Sequence, residues 1–375
     1  MTPLTEQDLA EAIAMSSGPL SIQGGGTRPI GKPVTGTLLE TKGLDGITLY
    51  EPGSLTLVVQ SGTPVTKVEE ALAAEGQRLA FEPMDHRVLL GTTGEPTMGG
   101  IAAANVSGPR RIQVGAARDF MLGVRFVDGM GNIVKNGGRV MKNVTGYDLV
   151  KLMAGSYGTL GVLSEVSFKV LPVAERQLTL TLHGQNTKEA VASISKAMGS
   201  PFEVTGAAHL GGTTHLRIEG TEASTAYRCE RLVSLLSGEI VVNQDQSAQT
   251  ELWRGIRNVQ PLAGFDTVWR VSMTPSRAPD FLEMLQREHE IEVLMDWAGG
   301  LLWIGSKADP QPLHEKLQRE IYNYGGGHVT LVKAALKDRT RLSVFQPEPR
   351  AIAALTNGLR ARFDPKGILN PGLMS

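Results

Sequence analysis

Apolar residues at helical spacing open the chain, with Leu9, Ala10 and Ile13 following Thr5 and Asp8, a pair that reads as helix capping. Residues 55–60 (LTLVVQ) then read as a strand. Thr66 and Glu69 read as a capping box for a helix that carries Val68 and Leu72 and stops at Gly76. Residues 122–127 and 132–134 flank Asp128, Gly129, Met130 and Gly131, a hairpin signal, and Val162, Val166, Phe168 and Val170 share parity in a further strand. A first α+β domain over residues 1–172 is predicted to end at Leu171–Pro172.

Beyond Pro172 glycine thins and the order of elements repeats. LTLTLH, a helix over 188–198, FEVTGAAHL, HLRIEG, a helix over 222–236 and EIVV give β-α-β-β-α-β. VWRVSM, a helix over 278–288, IEVLMDW, LLWIGS, a helix opening at Asp309–Pro310 and HVTLVKAAL give the same order again. Two such split, ferredoxin-like units can join into one largely antiparallel sheet with helices on one face, which predicts a second domain over residues 173–335. Residues 336–375 end in a helix and then FDPKGILNPG, a turn-rich tail that must be held against the body of the protein to be ordered.

Composition narrows the function classes. Across 375 residues, 37 Lys plus Arg face 38 Asp plus Glu, a formal net charge of −1 that supplies no long-range attraction for nucleic acid or an anionic membrane. The single cysteine, Cys229, lies in a helical pattern; it excludes an internal disulfide framework and a thiolate-held iron–sulfur cluster, and fits a reducing compartment. No apolar run reaches the ~20 residues needed to cross a bilayer, and the N-terminus lacks a secretory pattern. A cytoplasmic location is expected, with any association at the inner membrane peripheral and through partners.

The chemistry-bearing signals are glycine clusters. Adjacent glycines in GGGTR (Gly24, Gly25, Gly26, Thr27, Arg28) can turn successive N–H groups toward an oxyanion, a nest suited to a pyrophosphate; an ordinary surface turn fits the same residues. The loop is neither a GxGxxG fingerprint after a strand nor a Walker loop. In TMGGIAAANVSGPRR the small residues from Gly99 to Gly108 let backbone approach a large flat ligand, or pack a tight helix. GSYGTLGV, residues 155–162, closes the region before a buried strand.

GGGTR, TMGGIAAANVSG, GVRFVDGMGNIVKNGGRVMKNVTGYDL, GSYGTLGVLSEVSFKVLP and FDPKGILNPG, in that order, resemble the FAD-binding domain of the vanillyl-alcohol oxidase and p-cresol methylhydroxylase (PCMH) superfamily. Within it the wording is most similar to the FAD-binding subunits of bacterial glycolate oxidases. The resemblance implies that Gly24, Gly25, Gly26, Thr27 and Arg28 cradle the pyrophosphate. It further implies that Thr97, Met98, Gly99, Gly100, Asn105, Ser107 and Gly108 run beside the ribityl chain and flavin, and that Gly155, Gly158, Gly161 and Val162 line the adenine and phosphate side. Asn370 would reach the isoalloxazine region. The loop that carries a tethering histidine in some relatives reads Gly26–Thr27 here, and Cys229 lies in the other domain, so the FAD is expected to be non-covalent.

The implied activity is oxidation of a small 2-hydroxy acid, glycolate to glyoxylate, with electrons passed to an iron–sulfur subunit; a longer FAD-binding subunit is implied in the same complex. A non-catalytic or electron-relaying flavin subunit, and an independent sugar or lactone oxidase, are the rival readings. Metal-assisted relatives carry a hairpin resembling HxGDGNxH where this chain has WAGGLLW, residues 297–303, and tryptophan is not a ligand, so no metal is expected. His209 and His215 flank a glycine turn and could face each other across a hairpin. Arg110, in the Arg110–Arg111 pair, could hold a substrate carboxylate, a structural carboxylate or the FAD phosphate, and His328, after three glycines, could lie close to the flavin; these two are the catalytic candidates. His86 also lies among the flavin motifs.

Overall fold

A computed structural model describes residues 1–139 and 146–374. Residues 140–145 of the third glycine-rich motif lie outside that range. The strands are β1 (Leu20–Gln23), β2 (Thr37–Glu40), β3 (Ile47–Glu51), β4 (Thr56–Gln60), β5 (Gln77–Arg78), β6 (Met121–Val127), β7 (Ile133–Gly137), β8 (Val162–Lys169), β9 (Leu171–Pro172), β10 (Arg176–Leu182), β11 (Gly206–Leu210), β12 (Thr213–Gly220), β13 (Ile240–Asn243), β14 (Thr267–Met273), β15 (Glu292–Asp296), β16 (Leu301–Ser306) and β17 (Gly327–Lys333).

Four groupings result: a parallel pair β1-β2, a small pair β5-β9, a five-stranded antiparallel sheet in the order β3-β4-β8-β6-β7, and an eight-stranded sheet in the order β13-β10-β12-β11-β15-β16-β14-β17. Shared parity places β8 at the centre of the five-stranded sheet, where Val162, Val166 and Phe168 are buried. The first helix, Glu6–Met15, has the expected cap, with the Thr5 hydroxyl accepting from the Asp8 N–H while the Asp8 carboxylate accepts from the Thr5 N–H. The Thr66–Glu69 box does not form. Pro64 has an extended ψ of 140° and begins the helix Val65–Ala74 two residues early, so Thr66 and Glu69 fall inside it and cap nothing.

Both β-α-β-β-α-β repeats are present, and every strand pair in the eight-stranded sheet is antiparallel, with β11 and β15 joining the repeats where His209 pairs with Met295. Register corrects the histidine pair. His209 stands opposite Thr214 and His215 opposite Ala208, so with a period of two the imidazoles project from opposite faces. Their nitrogens meet the Thr214 and Thr181 hydroxyls, and burial holds both below the usual histidine range, His215 at about 4.

One apolar core runs from the five-stranded sheet (Leu57, Phe126, Phe168) through Phe81 and Trp253 to Trp269 and Leu302 of the eight-stranded sheet. A second fills the first repeat around Leu180, Ile194, Leu216 and Leu232. A third gathers Leu9, Ile13, Leu20 and Leu39 with Ile368 and Leu369 of the tail. The tail is therefore held. Leu369 bridges to Leu20, and Asn370 accepts from the Ile22 N–H at 2.8 Å through Oδ1 while donating to the Tyr157 carbonyl at 2.9 Å through Nδ2.

A buried ionic cluster crosses between the sheets. Arg217 of β12 forks onto Glu82 with both contacts at 2.9 Å, and Glu219 receives Arg78 at 2.7 Å and Arg110. Burial alone would raise the Glu219 carboxyl, but Arg217, Arg110 and Arg78 outweigh it and hold that group at about 2.

Candidate flavin-binding site

The Gly24–Arg28 loop leaves the end of β1 and faces the short helix Met98–Ala103 across a cavity of about 400 Å³. Its walls include Gly24, Gly25, Gly26, Thr27, Arg28, Ser61, Thr97, Gly99, Gly100, Tyr157, Gly158, Gly161, Val162 and Asn370. Segments far apart in sequence thus converge on one space. The glycines are required for two different reasons. A Cβ on Gly24 would collide with the Thr97 hydroxyl, one on Gly25 with the Glu95 carbonyl oxygen, and one on Gly99 with Ser61, so here backbone packs directly on neighbouring structure. Only Gly26 within the loop takes the left-handed conformation, at φ +69°.

The donor set suits an extended anion. Among the described residues, the N–H groups of Gly24, Gly25, Gly26 and Thr27 have no hydrogen-bond partner, and neither does the buried hydroxyl of Ser61. Arg28, Lys32 and Arg339 line the same cavity, and no carboxylate does among the described residues. Arg28 is set in place by donating to the Gly100 carbonyl at 2.8 Å and to His86 Nδ1 at 3.3 Å. Burial lowers the Arg28 guanidinium to about 10, and burial beside that charge holds His86 well below the usual histidine range, so His86 is neutral and can accept. Burial raises the Tyr157 hydroxyl, opposed by Arg28 and Arg270.

Five predicted contacts stand back from the cavity wall. Met98 is fully buried in the core, Asn105 Oδ1 accepts from the Arg118 N–H, and Ser107 Oγ accepts from the Ala117 N–H. Gly108 gives its carbonyl to the Trp297 indole at 3.0 Å, and Gly155 packs beside Asn105. These residues shape the wall from behind. Thr97 reaches the cavity, but its hydroxyl also accepts from the Gly100 N–H to cap the helix. Asn370 lines the cavity with its amide already spent on Ile22 and Tyr157.

Both catalytic candidates are displaced. Arg110 is buried in the ionic cluster with Glu219 and Gln113 as partners, which makes it a structural cation. His328 is exposed at the start of β17 opposite Ser272, away from the cavity wall. Ser61 and Tyr157 carry no local signal beyond a single polar residue after a strand and a tyrosine among glycines, and pattern reasoning did not single them out.

Residues 1–137 match the family described as "FAD binding domain". The glycolate oxidase subunit GlcE of Escherichia coli is 36% identical over 360 residues, 95% of this chain and 92% of that protein. The chain belongs to the family of FAD-binding glycolate oxidase subunits. The family is that of an FAD-dependent oxidoreductase, an FAD-linked subunit of 2-hydroxy acid oxidation. The D-lactate dehydrogenase of Anaerostipes hadrus is 30% identical over 181 residues, 47% of this chain and 36% of that enzyme. Among solved structures, 4-ethylphenol oxidase from Gulosibacter chungangensis superimposes with a TM-score of 0.72 at 13% identity, covering all of this chain and 88% of that one. Alkyldihydroxyacetonephosphate synthase gives 0.71 at 14% identity, covering 99% and 75%. Those two likenesses establish the fold alone, mixed helix and strand with large antiparallel sheets. Among the described residues, no helix is long and apolar enough to cross a membrane.

Proposed function

We propose that this chain is the FAD-binding subunit of a glycolate-oxidising complex, producing glyoxylate and handing electrons to an iron–sulfur partner. The observation that supports it best is the similarity to GlcE, which extends through the cap and tail and not only the FAD-binding region. Residues 1–172 with 336–375 would hold the cofactor, and 173–335 would cover it. Bound non-covalently, FAD supplies a two-electron acceptor for the Cα hydride of glycolate.

The chain's own residues supply position and charge. The free N–H groups of Gly24 to Thr27 would take the pyrophosphate oxygens, with Arg28, Lys32 and Arg339 offsetting its charge and Ser61 adding a hydroxyl. His86, neutral and buried, keeps Arg28 aimed. The apolar wall excludes water from the side of the cavity formed by Ala103, Ala104 and Leu163. A chain with one cysteine holds no thiolate cluster of its own, which motivates the separate electron acceptor.

Anaerobic addition of glycolate to the untagged protein, purified with whatever accompanies it, tests the reading. Bleaching of the oxidised flavin band and co-purification of an iron–sulfur protein are expected. A partner-free flavoprotein bleached by a sugar and not by glycolate would sink it.

A further inference from the structure

Two arginines near the flavin cleft lack what the others have. Arg78, Arg110 and Arg217 each meet a carboxylate, and Arg28 meets a carbonyl and an imidazole. The guanidinium groups of Arg111, on the short helix Arg111–Val114, and Arg270, on β14, make no hydrogen bond or ion pair among the described residues. Instead both sit over the ring of Trp297, at 4.3 Å and 5.0 Å from its centroid. Two like charges share one ring and repel; among the described residues neither makes an ion pair, and Asp119 acts on Arg111 only from a distance.

The ring itself is held at a conformational cost. Trp297 and Ala298 are successive non-glycine residues in left-handed backbone, φ +49° and +57°, a conformation that L side chains rarely adopt. Three anchors impose it: Asp296 Oδ1 accepts from the Trp297 N–H at 2.7 Å, the indole donates to the Gly108 carbonyl at 3.0 Å, and β15 and β16 clamp the turn on both sides. Strain that the surroundings enforce around a ring flanked by unpaired cations marks a platform for a ligand. Arg111, Arg270 and Trp297 each keep part of their surface open, so the space is reachable. Burial lowers Arg270 to about 10, and its charge is felt by Tyr157, which lines the flavin cavity, and by His86 behind it.

We infer that Arg111 and Arg270, on the Trp297 platform, form the carboxylate-binding subsite of this chain and select a small 2-hydroxy acid anion over its uncharged analogue. This rests on the proposed function, and assigns substrate capture to the cap of this subunit and not to a partner. The carboxylate would accept from both guanidinium groups, bringing the Cα of a short acid toward the cleft that Tyr157 borders; a longer or uncharged substrate would leave one cation unpaired.

The FAD-loaded protein with its partners carries the test. Oxalate, which has the carboxylate and no oxidisable hydrogen, is titrated calorimetrically into wild type, Arg270→Gln, Arg111→Gln and the two Lys variants. Each Gln variant is expected to weaken oxalate by about 10- to 100-fold, with partial recovery in the Lys variants, which keep charge but lose the fork, and with flavin content unchanged. The double Gln variant should no longer prefer glycolate to glycolamide in anaerobic flavin reduction. Oxalate binding as tight in both Gln variants as in wild type, or none in wild type, overturns the subsite. Weakened oxalate binding alongside a wild type that glycolate fails to reduce would keep the subsite and sink only glycolate as substrate.

Discussion

The cleft and the eight-stranded sheet lean on different kinds of contact. Around the cleft, backbone sits against backbone: Gly25 lies on the Glu95 carbonyl and Gly99 on Ser61, with no room for a methyl group. In the eight-stranded sheet, buried side chains such as Leu302 and Trp269 fill most of the core, although Gly327 lies on the Ser272 carbonyl. A backbone contact has no adjustable part, whereas a side-chain contact can be refilled by another residue of similar volume. The cleft is thus bound to one residue type at several positions. The eight-stranded sheet can exchange side chains of similar volume while keeping its shape.

The comparison can be stressed most severely where the two regions join. Arg217→Ala strips the partner from Glu82 and leaves Glu219 short of a cation inside the protein, and should lower unfolding free energy in urea by about 3–5 kcal/mol. Next comes a matched pair. Gly25→Ala should cost about 1–3 kcal/mol and most of the bound flavin, because a single Cβ displaces the loop from Glu95. Leu302→Met should cost less than about 1.5 kcal/mol and keep the flavin, measured as absorbance at the oxidised band per chain. Flavin loss in the second and retention in the first would reverse the contrast.

Titration sets two carboxyls of the eight-stranded sheet apart more gently. Burial raises the Asp296 carboxyl to about 7, so the folded state binds a proton that the unfolded chain has released; stability from this group is lost as pH rises from about 4 through 7. Asp296→Asn should flatten that slope in urea unfolding between pH 5 and 8. Glu219 behaves in the opposite sense: held at about 2, it contributes above the ordinary carboxylate range, and that contribution fades as pH falls toward 2. Smallest of all, breaking the exposed Lys67–Asp45 pair with Lys67→Met should change stability by no more than about 1 kcal/mol.

What could be read from the sequence follows the same division. Both β-α-β-β-α-β units, the Asp309 cap of the helix Pro310–Glu320 and the tail's return were legible, since each rests on spacing or capping within a short span. The glycine loops were legible as sites for close approach, though Gly25 needs its small size for Glu95 and not for a left-handed φ. Pairings across the chain were not. Arg110 and Arg111 are neighbours in sequence, yet the first is consumed by Glu219, 109 residues away, and the second reaches Trp297. His209 and His215 looked like partners until the one-to-one register of β11 and β12 put them on opposite faces. The Thr66 cap failed because Pro64 had already turned the chain.

The amide of Asn370 ties Ile22 to Tyr157, residues 348 and 213 positions upstream. During synthesis the first strand and the glycine loop emerge long before that amide exists. Until residue 370 is added, the chain lacks the strut that holds one wall of the cleft. A chain cut short before residue 370 is therefore expected to retain less flavin than the full chain, measured as bound flavin per chain.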